Sequence, residues 1–220
     1  MHGGKASVNF TRIDRPPTLE SDPMSGAVGA SRINLTNQFL IAMPGMADPT
    51  FAGSVVYLCE HTEKGALGLV INKPVDIKLK NLFEKVELRL NRDDIADAPV
   101  YFGGPVQTER GFVLHERQAD HVSPYNSTLS IAGGSLDMTT SKDVLEALAD
   151  GAGPKRMLVT LGYSGWGAGQ LEDELSRNGW LTVDADPSVI FDTPIAQRYE
   201  KAVSLLGIDP NMLSQEAGHA

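Results

Sequence analysis

Short apolar runs, each closed within a few residues by glycine, proline or asparagine, recur along this chain and constrain its fold more than any other feature. Gln38–Met43 is continuously apolar and ends at Pro44-Gly45, and Ala66–Asn72 stops at Lys73-Pro74. Between them, Ser54–Glu60 puts Val55, Tyr57 and Cys59 on one face and Val56 and Leu58 on the other. Runs of this length between turn formers, rich in β-branched and aromatic residues, are strands. A strand apolar on both faces is covered on both faces.

The rest of the chain mixes such runs with helical spacing. Pro99–Phe102 and Gly111–His115 are strands on either side of a Gly103-Gly104-Pro105 turn, and Thr128–Ala132 and Ser135–Thr139 form a hairpin across Gly133-Gly134. Leu79, Leu82, Phe83 and Val86 recur at helical spacing. Ser141 is placed to cap a helix whose apolar face is Val144, Leu145 and Leu148. Arg156–Leu161 reads as a strand running into a glycine-rich turn over 162–169, followed by a helix carrying Leu171 and Leu175. Asn178-Gly179 stops that helix, Trp180–Val183 is a further strand, and Ile195–Leu206 is a closing helix. Hairpins interleaved with helical crossovers imply an α+β fold, a compact sandwich of a mixed β-sheet and flanking helices.

Residues 1–32 differ in character: Gly, Pro, Ser and charge predominate, and Pro16, Pro17 and Pro23 interrupt them. They are expected to form a disordered arm, with 33–220 a single domain. The lone Cys59 excludes an intrachain disulfide and fits a reducing compartment. No run approaches a membrane span and no signal-peptide pattern opens the chain, so a cytoplasmic protein is expected. A formal net charge of −9 opposes the phosphate neutralisation on which nucleic-acid affinity rests.

Two motifs could carry chemistry. Gly162, Gly165 and Trp166 belong to a Gly-rich stretch before a helix, where backbone N–H groups could face an anion. It lacks the lysine of a P-loop, the G-x-G-x-x-G of a dinucleotide fold, and the final glycine of a G-x-S-x-G elbow, where Trp166 stands. Glu172, Asp173 and Glu174 in the helix's first turn would compete with an anion, so a tight structural turn is the plainer reading. Cys59 and His61 lie two apart, which would set thiol and imidazole on one face of a strand end. The alternatives there are a reactive thiol, a metal ligand, or simple packing of a buried cysteine. Gly103 and Gly104 allow close approach of a ligand or of another backbone. Nothing in these motifs calls for a cofactor or a metal.

Taken together, the segments NQFLIAMP (37–44), DPTF (48–51), SVVYLCEH (54–61), GALGLVINKP (65–74), YFGGPV (101–106), RGFVLH (110–115), LGYSGWGAGQLEDE (161–174) and the terminal GHA (218–220) resemble the AlgH/YqgE family. The resemblance implies the same α/β sandwich from about residue 34 onward. That family carries the label of transcriptional regulator with no agreed mechanism or catalytic residues. It often has alanine where Ser164 stands, which speaks against a serine nucleophile.

Three functions compete. The first is a regulatory or interaction protein acting through a protein partner, favoured by the acidic balance and the missing catalytic template. The second is a small-molecule-binding domain or enzyme, with Cys59, His61, Asn72, Gly103, Gly104, Gly162, Gly165 and Trp166 converging on one pocket. The third is direct DNA binding, which the charge disfavours and for which no reading helix is visible. The balance of these readings weighs against an enzyme.

Overall fold

The computed structural model describes residues 8–10, 34–118 and 123–208. Among these residues ten strands make one sheet. They are β1 (Gln38–Ala42), β2 (Val55–Thr62), β3 (Gly65–Val70), β4 (Pro74–Lys78), β5 (Pro99–Phe102), β6 (Val106–Glu116), β7 (Thr128–Ser130), β8 (Leu136–Thr139), β9 (Met157–Gly167) and β10 (Trp180–Asp184). The main path runs β10-β1-β2-β3-β9-β6-β8-β7, and every pairing along it is antiparallel. β5 pairs parallel with β9 and antiparallel with β4, which makes the sheet mixed.

The α+β class therefore stands, with one change of shape. A single sheet curls into a half-barrel in place of a flat sandwich. The helices α1 (Leu79–Lys85), α2 (Asp93–Ala96), α3 (Asp143–Ala149), α4 (Gln170–Ser176), α5 (Pro187–Phe191) and α6 (Arg198–Ser204) are each seven residues or fewer. They patch the sheet and do not form a continuous layer.

Alternation sorts the side chains into three cores. Phe39 and Ile41 of β1, Tyr57 of β2, Leu69 of β3, Phe112 and Leu114 of β6 and Met138 of β8 fill the inner face, closed by α5 and α6. On the outer face Leu40, Val56, Leu58, Val70, Trp166 and Trp180 meet Leu171 of α4. Further along the same face Val100, Val113 and Val159 meet α1 and α3. Val56 and Leu58 thus face away from Val55 and Tyr57, as their alternation requires. Each of these buried side chains is worth about 1.5–3 kcal/mol of transfer free energy.

Local expectations fail where sequence signals mislead. The helix expected behind a Ser141 cap starts after Lys142, because the Ser141 hydroxyl is turned to Asn126 O and the Asp143 carboxylate. Asn178, with φ 56°, takes the left-handed position that ends α4, and Gly179 N–H donates to Glu174 O at 2.9 Å. Of the segment expected to be a disordered arm, residues 1–7 and 11–32 lie outside the described residues. Val8–Phe10 are described, and they are anchored: Asn9 bridges Arg110, and Phe10 is 6% exposed. The terminal Gly218-His219-Ala220 of the resemblance also lies outside the described residues.

Candidate functional site

The expected cluster of site residues is dispersed by the fold. β2 and β3 are in register up to Leu58↔Gly68, and pairing resumes at Glu60↔Leu67. Cys59 is the extra residue of this β-bulge, and a bulge reverses the faces of the residues beyond it. Cys59 stays with Tyr57 in the inner core at 1% exposure, its Sγ 3.8 Å from Tyr57 O. His61 emerges on the opposite side. Burial, with a smaller push from Glu60, raises the thiol pKa well above its ordinary value. Cys59 and His61 do not pair, and the expectation of both on one face is corrected.

The glycine-rich turn expected over 162–169 shrinks to Ala168 and Gly169. β9 continues through Gly162, Ser164 and Gly165 to Gly167, paired with β3 from Gly68↔Ser164 to Gly65↔Gly167. The stretch is part of the ladder, and at its end Gly167 N–H donates to Gln170 Oε1 at 3.0 Å, so no loop of N–H groups is gathered there for an anion. Gly103 and Gly104 lie against this strand: Gly103 N–H donates to Leu161 O at 2.8 Å, and Ser164 Oγ donates to Gly103 O at 3.0 Å. A Cβ on Gly104 would lie 2.2 Å from the Tyr163 carbonyl carbon, and one on Gly162 2.4 Å from Gly104 O. These glycines permit two backbones to cross and leave no room for a ligand. Ser164 is fully buried. Asn72 accepts from Val55 N–H and donates to Gly53 O, both at 2.9 Å, which closes the loop before β2.

Trp166 is brought to α4, but as a wall. Its indole N–H and that of Trp180 both donate to Glu174 Oε2, at 2.9 and 2.8 Å, while Gln170 donates to Oε1 at 3.0 Å. Phe51 stacks on Trp166 at 6.2 Å. This clamp fixes α4 on the outer face.

What α4 then borders is a groove of about 870 Å³ beside His61, lined by Leu35, Glu63, Glu172, Leu175 and Thr182 among others. The imidazole forms part of its wall and is fully engaged. Leu35 N–H donates to Nδ1 at 3.0 Å, so the ring proton sits on Nε2 and is donated to Glu172 Oε1 at 3.0 Å. The His61 side chain is 5% exposed and that of Glu172 54%. With one nitrogen accepting from the backbone and the other tied to a carboxylate, His61 is poorly placed to act as a general base. Its bonds instead join β2, the segment entering β1 and α4 into one rigid wall. The lining is more apolar than polar, with the carboxylates of Glu63 and Glu172 among its polar groups.

Of the residues singled out from sequence, only His61 faces this groove. Gly103, Gly104 and Gly162 gather elsewhere, Trp166 supports α4 from behind, and Cys59 and Asn72 stand apart. Sequence reading missed Leu35, Glu63, Glu172, Leu175 and Thr182 as lining. Glu172 carried a signal, as a first-turn acid on α4, but its partner is 111 residues away. Among the described residues no three His, Cys, Asp or Glu side chains gather as a metal site, and no helix is long and apolar enough to cross a membrane.

Comparison with known proteins gives a consistent picture. A family model described as AlgH-like matches residues 39–211. A UPF0301 protein of Cupriavidus pinatubonensis is 70% identical over 188 residues, 86% of this chain and 96% of its own. A UPF0301 protein of Cupriavidus metallidurans is 68% identical over 194 residues, 88% of this chain and 100% of its own. The solution structure of the AlgH protein from Pseudomonas aeruginosa is 48% identical, covers 90% of this chain and 100% of its own, and superposes with a TM-score of 0.69. A crystal structure from Corynebacterium diphtheriae, 22% identical with a TM-score of 0.60, shares the fold.

Proposed function

The chain belongs to the AlgH-like family, and from that premise we propose that it is a regulatory binding protein whose groove beside α4 takes a segment of a protein partner. The observation that carries this reading is the groove itself: an open, mainly apolar trough bearing Glu63 and Glu172, walled by a histidine with both nitrogens engaged. Apolar surface of this kind supplies affinity, and carboxylates within it favour a segment carrying Lys or Arg. The partner is thus expected to present an apolar stretch flanked by basic residues. Support against a catalytic role comes from the same geometry, since Cys59 and Ser164 are buried away from the groove. Support against direct DNA reading comes from the net charge of −9.

The test compares two surface variants with the unaltered protein. Leu175→Arg places a cation in the groove, whereas Ile208→Arg alters an exposed residue outside its lining. Affinity purification should recover the same defined partner with the unaltered chain and with Ile208→Arg. Leu175→Arg should lower its recovery at least tenfold, roughly 1.4 kcal/mol. Equal recovery in all three samples contradicts the proposal. A small molecule that co-purifies and is lost only from Leu175→Arg would replace the protein partner with a metabolite.

A further inference from the structure

On the outer face, in the core that α1 and α3 cover and apart from the one that α4 covers, a second site is already filled by the chain itself. Among the described residues β8 pairs with β6 only from Val113 to Glu116, and ahead of that stretch the β6 edge meets Asn9. Asn9 takes that edge as a parallel bridge: its N–H donates to Glu109 O at 2.9 Å, and Gly111 N–H donates to its carbonyl at 3.2 Å. The next residue, Phe10, turns into the core formed by α1, α3 and β6 and is 6% exposed. Its ring lies directly over Gly111, where a Cβ would come within 1.8 Å of Cζ. Gly111 is therefore the floor of an aromatic slot, and any larger residue there would occupy the ring's place.

We infer that this slot is a peptide-binding site for an extended segment with an aromatic anchor, filled in cis by Val8–Phe10. It combines the two elements of strand-addition recognition: main-chain hydrogen bonds along a sheet edge, and one pocket that selects a side chain. Among the described residues the cis occupant makes two backbone bonds and seats one ring, against the longer ladders that join β6 to β8 and β9. Such a contact opens locally without unfolding the domain. When it opens, the slot accepts the same motif offered in trans. The relatives match this chain over 188 and 194 residues and 96–100% of their own lengths, so the fold is shared by proteins shorter than this one.

Full-length protein with Phe10→Ala, labelled for amide NMR, would be titrated with a synthetic peptide of residues 5–13. The Gly111 and Val113 amides should shift saturably. A peptide with alanine in place of the phenylalanine should leave them unmoved. The unaltered protein should need at least ~10-fold more peptide, because its own segment competes at high effective concentration. No shift at Gly111, an equal response to the alanine peptide, or an unaltered protein that binds as well as Phe10→Ala would each overturn the proposal. Hydrogen exchange of the unaltered protein gives a test independent of any variant. Asn9 and Gly111 should exchange faster than Val113 and Leu114; equal protection would mean that the segment never leaves and that the slot is structural only.

Discussion

Cys59 lies among Phe39, Tyr57 and Leu69 at 1% exposure, and burial holds its thiol well above the ordinary range. A thiol in that setting is inert packing. Alkylation of the native protein at neutral pH should be negligible and should reach one label per chain only on unfolding; native labelling would place Cys59 outside the core. The chain has a second buried titrating group in His115. Its Nδ1–H donates to Glu116 O at 3.0 Å, and Nε2 accepts from Thr139 Oγ1 at 2.9 Å. Burial lowers its pKa, against smaller opposing effects of the Glu116 carbonyl and the Asp137 carboxylate. The unfolded chain therefore takes up this proton at a higher pH than the folded one, so the imidazole's contribution is fully present above about pH 6.5 and is lost as pH falls below it. The melting temperature of His115→Gln should fall less steeply than that of the unaltered protein between about pH 7 and about pH 5.5, and parallel slopes would contradict this. Neither environment was legible from neighbouring residues. The bulge that parts Cys59 from His61 exists only in the pairing of β2 with β3, and period-two alternation carries no mark of it.

Among the elements, α4 gives the groove its wall, and beside buried Leu171 and the His61–Glu172 bond it is tied down by Glu174. Glu174 receives both indole N–H groups and the Gln170 amide. Glu174→Ala leaves two indole donors without their acceptor and should cost about 1–3 kcal/mol, with a change in tryptophan emission. Asp173→Ala, on the exposed side of the same helix, should stay within about 0.5 kcal/mol. Equal effects would show that α4 is held by Leu171 and not by the clamp. Most strands were legible because alternation and turn residues agree: Gln38–Ala42, Val55–Thr62 and Trp180–Asp184 appear close to where the pattern puts them. The failures have local causes. Glycine reads as a turn, yet in β9 it marks close crossing of backbones, so the strand runs on to Gly167. β4 and α5 each open with a proline, Pro74 and Pro187, which reads as the end of an element although proline is well suited to begin one.

At the scale of the whole molecule, the curl of the sheet leaves the outer face divided between two covers. α4 sits over one part, beside the groove; α1, α3 and Phe10 sit over the other. The family and the α+β class could be read from ordered motifs, but the groove could not. It joins Leu35, His61, Glu172 and Thr182, which come from separate parts of the chain and meet only through pairing of β10, β1 and β2. The central claim is that this groove holds a protein segment. A photo-crosslinking residue placed at Leu175 tests it most directly, with the same residue at Lys80, on α1, as the control. Irradiation in cells should join Leu175, and not Lys80, to one defined peptide of one partner, with Lys or Arg near the point of attachment. Identical adducts from both positions, or no protein adduct from Leu175, would contradict the account.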